Sequence, residues 1–287
     1  MLKINNIKSF IRKFSPNFID STQILLGRKD KSYAQEFNTL YTILKTISGI
    51  SNKKFIDIGC GDGFNMSTAF PLTNHGWIGL LIDSDLKSIE IAKKRFKNSN
   101  HKIILHNVTS LNIFELILIN NYADASYLKI DIDSYDLTIL KSVLNAGMRP
   151  DIFSIEINER FPPPIKFERF ESVERRIFPD FFYGCSLSSV EAEARNFNYV
   201  LIDLAYNNAF YVRKELIPNN FKLKDIYTIY NEGYAYRASR EKLFYWNKKY
   251  DHWIKQSPAR TIEEIEKSFP ELRKFGSLSF SSRGDRI

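Results

Sequence analysis

The sequence is poor in cysteine: Cys60 and Cys185 are the only two among 287 residues. Two thiols make neither a disulfide framework nor a metal quartet, and such a chain reads as cytoplasmic and reduced. Cys60 stands inside a glycine-rich turn where a small residue is needed, so packing explains it. Histidine is scarce, four residues in all, and no compact Cys/His cluster argues for zinc. The strongest apolar run, Leu116 to Ile119, is far short of a membrane span. The N-terminus lacks a signal-peptide hydrophobic region. No internal repeat or low-complexity linker interrupts the chain.

What is present is a hydrophobic content of 44%, enough for one sizeable core with additions. The net charge is +8 and the pI about 9.2, which favours anionic partners: a phosphate-bearing substrate, nucleic acid or an acidic membrane face. Lys and Arg are scattered and not massed, so a solvated basic surface accounts for the surplus equally well. Near the N-terminus Ile7, Phe10, Ile11 and Phe14 fall at helical spacing among Lys3, Lys8, Arg12 and Lys13. Such a helix suits either an anionic membrane surface or packing on its own domain.

Residues 31–47 read as a helix, with Tyr33, Phe37, Tyr41, Leu44 and Ile47 on one face. From Lys54 short apolar runs alternate with amphipathic stretches, the pattern of a parallel α/β sheet. Strands are expected at Phe55–Ile58, Trp77–Ile82, Lys102–Leu105, Tyr127–Ile132 and Ile152–Ile157. Helices are expected at Met66–Phe70, Leu86–Phe96, Ile113–Ile119, Leu137–Ala146 and Leu187–Asn196. Strands Tyr199–Leu204 and Ala209–Arg213 are joined closely enough for an antiparallel hairpin. The expected fold class is therefore α/β, a Rossmann-like, seven-stranded, mostly parallel sheet closed by that hairpin. The expected division is an N-terminal helical extension (1–50), the sheet domain (51–215) and a C-terminal helical extension (216–287). In the last, Leu243, Trp246, Tyr250 and Trp253 mark a helix face, and Thr261 with Glu264 reads as a capping box. Phe161–Gly184 reads as an irregular segment. Arg283-Gly284-Asp285 reads as a chance tripeptide.

The densest signal is FIDIGCGDGFN, Phe55 to Asn65. Gly59, Gly61 and Gly63 follow a strand, so a ligand can approach bare backbone and the next helix N-terminus. A dinucleotide turn would place its third glycine at position 64, which is Phe. It would also gain nothing from Asp57, which repels a pyrophosphate. S-adenosylmethionine carries an ammonium and a sulfonium, and a carboxylate at Asp57 suits them. Asp83 ends the second strand, where an acid can take both hydroxyls of a ribose; Asp85 is the reserve, and Asp83 could equally cap the following helix. Asn107, after the third strand, is placed to meet an adenine edge.

Lys54–Asp85 resembles the S-adenosylmethionine-dependent methyltransferases with a Rossmann-like sheet. YLKIDIDSYDLTIL (Tyr127–Leu140), RPDIFSIEIN (Arg149–Asn158) and Tyr183–Arg213 resemble the FkbM-like methyltransferases and their Ile-Asp-Ile-Asp relatives, a likeness over roughly residues 50–215. The resemblance implies methylation of sugars, polyketides or other small molecules, in surface-polysaccharide or natural-product biosynthesis.

Asp131, Asp133 and Asp136 follow the fourth strand, and Glu156 and Asn158 end the fifth, where open parallel sheets bind ligands. Asp131, Asp133 and Glu156 are the candidate catalytic set. They could deprotonate or align an acceptor hydroxyl. With Asn158 they also make an oxygen-rich set suited to Mg2+ or Ca2+. Alternatively Asp133 or Asp136 caps the next helix, Lys129 neutralises a neighbour, and His106 is structural. Arg160, Lys166, Arg169, Arg175 and Arg176 make the following segment basic, which suits a phosphorylated or nucleotide-linked sugar acceptor.

Nucleic-acid methylation is disfavoured. Asp131-Ile132-Asp133-Ser134 replaces the Asn/Asp-Pro-Pro-aromatic turn of amino-adenine enzymes, no cysteine nucleophile stands there, and no RNA-binding module is visible. A non-catalytic binding protein on the same fold remains the other alternative.

Overall fold

A computed structural model describes residues 35–172 and 182–280. The basic N-terminal stretch, Tyr33, Arg175, Arg176 and the Arg283-Gly284-Asp285 tripeptide lie outside the described residues. Seven strands form one sheet in the order β3-β2-β1-β4-β5-β8-β7. They are β1 (Lys54–Ile58), β2 (Ile78–Asp83), β3 (Lys102–Leu105), β4 (Tyr127–Ile130), β5 (Ile152–Glu156), β7 (Tyr199–Ala205) and β8 (Asn208–Arg213). The first five are parallel to one another, and β8 pairs antiparallel with both β5 and β7. The fold is the α/β class read from the sequence, and Tyr206, at φ 58, turns the closing hairpin. The strand order reverses between β1 and β4, so a crevice opens at their carboxyl ends.

Alternation along the strands sorts residues to two faces. Ile56, Ile58, Leu128 and Ile130 enter one core; Phe55 and Tyr127 enter the other. Asp57 and Lys129 are cross-strand neighbours and belong to the second face. The helix Glu36–Thr46 covers that face through Phe37, Leu40 and Ile43. Its buried stripe differs from the expected one: Tyr41 is exposed and Glu36 is buried.

The segment expected to be irregular contains a strand, β6 (Ile165–Arg169), paired antiparallel with β9 (Gly276–Phe280). Its alternating Ile165 and Phe167 are buried in a third core with Trp253, Ile265 and Leu278. The partner strand lies more than a hundred residues away, so no local pattern could reveal the pair. The helix Pro258–Ser268 is capped by Ser257, which accepts from the Arg260 N–H, and not by Thr261. Tyr245–Ile254 is a 3₁₀-helix, so its period is three and not 3.6. Phe244, Asn247 and Trp253 are buried along one row and Trp246 is exposed, contrary to the α-helical face expected. Among the described residues no helix is long and apolar enough to cross a membrane.

Candidate active site

The three loop glycines have left-handed backbone, yet they meet different surroundings. A Cβ on Gly59 would fall 1.7 Å from the carbonyl oxygen of Asp131. Glycine there lets the turn after β1 touch the turn after β4. A Cβ on Gly63 would lie 2.7 Å from the Phe96 ring. Only Gly61, at φ +55, faces open space, with nothing within 4 Å of a built Cβ. Its N–H donates to Oδ2 of Asp83 at 2.8 Å.

Asp83 is half-buried at the end of β2. Its Oδ1 accepts from the Asp85 N–H, so both oxygens are fixed by backbone while each keeps a lone pair for a ligand. It does not cap the next helix. Asp85 does so, accepting from the Ser88 N–H. The carbonyl of Asp83 accepts from the His106 N–H, which brings Asn107, exposed, to the same end of the sheet.

Asp57 lies beneath the loop, fully buried. Its Oδ2 accepts from Ser67 Oγ at 3.3 Å, and its Oδ1 is buried without a hydrogen-bond partner. Burial lifts its pKa to about 6 despite the ammonium of Lys129. Lys129, itself buried, reaches Glu36 at 2.9 Å and Asp131 at 3.1 Å. Burial opposes its charge, but the carboxylates of Glu36, Asp131 and Asp57 outweigh that and hold it protonated. One cation thus serves three acids, and burial lifts Glu36 to about 7. Asn208 also donates to Glu36.

Asp131, Asp133 and Glu156 converge, with one oxygen of each within 4.8 Å of the others. Asp133 sits at φ 53. Glu156, buried at the end of β5, accepts from Asn207 Nδ2 at 2.7 Å through Oε1, and its Oε2 has no hydrogen-bond partner. Burial, with the neighbouring charges of Asp131 and Asp133, drives its pKa well above the usual carboxylate range. The side chain of Asn158 is engaged in the backbone of the next segment: its amide donates to the Tyr183 carbonyl and its oxygen accepts from the Arg160 N–H. Asp136 is no N-cap. It begins the helix Asp136–Asn145 and reaches back to the N–H groups of Ile132 and Ser134, fixing the turn that carries Asp131 and Asp133. Burial lifts it to about 7.

Among the described residues the expected basic face is thinner than the sequence suggests. Arg160 is buried, donating to Asn247, and Arg169 is half-buried, its pKa lowered by that burial. Lys166, on β6, is half-buried. Sequence reasoning missed three supporting residues. Glu36 precedes the sheet and carries no motif. Asn207 looks like an ordinary turn residue. Glu159 is fully buried and accepts from Tyr183 at 2.6 Å and Asn247 at 2.5 Å.

No protein-family model matches the chain, and no curated protein matches it. Solved structures similar to it include an S-adenosylmethionine-dependent methyltransferase from Clostridium acetobutylicum, at 11% identity and TM-score 0.36, covering 72% of this chain and 98% of that one. An O-methyltransferase from Bacillus cereus, solved with SAH, is 12% identical at TM-score 0.38, covering 73% and 97%. A glycopeptide N-methyltransferase solved with S-adenosylmethionine is 11% identical at TM-score 0.35, covering 67% and 89%.

Proposed function

We propose that this chain is an S-adenosylmethionine-dependent methyltransferase acting on a hydroxyl of a sugar or similar polar small molecule. The carrying observation is the bare backbone at Gly61, open above and bound to Asp83. That cradle fits a ribose against Asp83, and the unpartnered oxygen of Asp57 supplies negative charge beneath the loop for the ligand's cationic end. Asn107, which follows His106 at the same end of the sheet as Asp83, would meet the adenine edge. Bound there, S-adenosylmethionine supplies an electrophilic methyl group.

The chain's own residues do the rest. Asp131 and Asp133, at the carboxyl end of β4, take the acceptor's hydroxyl proton as general base. Lys129 holds Oδ2 of Asp131 in place. Burial and the charges of Asp131 and Asp133 favour the protonated form of Glu156, and in that form it offers a hydrogen bond to the acceptor where a second carboxylate would repel the first. The convergence of the three oxygens allows a second reading, in which Asp131, Asp133 and Glu156 would hold Mg2+, whose charge would lower the hydroxyl's pKa. Titration calorimetry with S-adenosylmethionine and with NAD tests the cofactor assignment. Binding of the first and not the second is expected, and the reverse result overturns it.

A further inference from the structure

The 3₁₀-helix Tyr245–Ile254 sorts its residues by threes. One row is buried. The other two begin exposed: Tyr245 leads to Lys248 and Trp246 leads to Lys249, each aromatic one turn before a lysine, while Asp251 and Ile254, further along the first of these rows, are half-buried. Tyr245 is 71% exposed and Trp246 42%. The acid and the imidazole that follow in these rows are already engaged, Asp251 with Arg240 and His252 with Glu264. Lys242, Lys248 and Lys249 are exposed, Lys249 with its ammonium 4.8 Å from the centre of the Tyr250 ring, and Glu241 is the one exposed acid between residues 241 and 250, so the exposed charge of this stretch is net positive. The buried row anchors it: Asn247 donates to Glu159 and accepts from Arg160.

We propose that this face docks on an anionic lipid bilayer, Tyr245 and Trp246 entering the headgroup boundary while the lysines meet the lipid charge. Amphipathic aromatic rings favour that boundary, and adjacent lysines add attraction to anionic headgroups. A nucleic acid fits less well. Tyr245 and Trp246 meet edge-on, 5.1 Å apart at 76°, and Phe244 tilts against Trp246 at 58°, so the rings form no parallel platform for stacked bases. The proposal does not depend on the methyltransferase reading.

The test is co-sedimentation of the full chain with phosphatidylcholine vesicles, with and without phosphatidylglycerol. Trp77 and Trp253 are 4% and 1% exposed, so a blue shift in tryptophan emission reports on Trp246. Expected are binding only to the anionic vesicles, loss at high salt, and the emission shift. Lys248→Glu with Lys249→Glu should lower partitioning by about tenfold or more, and Tyr245→Ala with Trp246→Ala should remove it, with melting temperatures preserved. Equal binding of wild type and both double variants would place any attachment elsewhere in the chain and overturn the proposal. So would an absence of binding, or loss of single-stranded RNA binding in the variants while vesicle binding is unchanged.

Discussion

The carboxylate of Asp83 and the backbone N–H of Gly61 are 2.8 Å apart, so the end of β2 holds the turn after β1 open. A branched side chain at Gly61 would project into that space, with a left-handed backbone costing about 1–2 kcal/mol. Gly61→Val should therefore stay folded and lose S-adenosylmethionine affinity by roughly a hundredfold or more, read by calorimetry. Unchanged affinity would remove the cofactor from this loop.

Gly59→Ala should do the opposite. Its Cβ would collide with the Asp131 carbonyl, so the two turns must separate. A loss of about 3 kcal/mol or more is expected, by the scale of severe core overpacking and strain, seen as a fall in melting temperature before any ligand is added.

Asp131→Asn keeps the shape and removes the charge. Turnover with a true acceptor should fall by roughly a hundredfold or more, the range of lost acid–base catalysis, while cofactor affinity changes little. Activity that resists EDTA supports the base assignment. Activity lost to EDTA and restored by Mg2+ supports the cation.

Lys129→Met would leave Glu36, Asp131 and Asp57 without their shared cation. Breaking a buried ion pair costs roughly 3–5 kcal/mol. Denaturant unfolding should show that loss at pH 8 and a smaller one at pH 5, where Glu36 and Asp57, raised by burial to about 7 and about 6, take up protons.

Asp136 gives a signed pH dependence. Its folded pKa is raised to about 7 from 3.8, so between about pH 4 and 7 the folded state binds more protons than the unfolded chain. Its contribution to stability is fully present below about pH 4 and is lost as pH rises through 7. The destabilisation caused by Asp136→Asn should thus be largest at about pH 4 and below, and shrink by pH 8. A penalty that grows with pH would show that the carboxylate is ionised in the fold.

The alternation of apolar runs made the sheet legible because β4 and β5 are buried throughout and β1 is buried beyond Lys54, and such strands need near-continuous apolar sequence. The acids at strand ends were legible for a related reason: in an otherwise apolar strand a carboxylate is conspicuous. The support around them was not. Lys129 finds its partner at Glu36, ninety-three residues earlier, and Glu156 is held by Asn207, fifty-one residues later. Neither separation leaves a periodic trace. The same limit hid Trp246, whose exposure follows from a three-residue turn that sequence spacing at 3.6 could not distinguish.

The pairing of β6 with β9 bears on the order in which the molecule is made. Ile165 meets Phe280 and Arg169 meets Gly276, so during synthesis β6 emerges long before its partner exists. The seven-stranded sheet can close once residue 213 is available, and β6 can by then meet Cys185 along one side, but its other edge has no partner until translation reaches 280. Through that interval the open edge of β6 is exposed to wrong strand partners, and a ribosome pausing within 214–275 would prolong it.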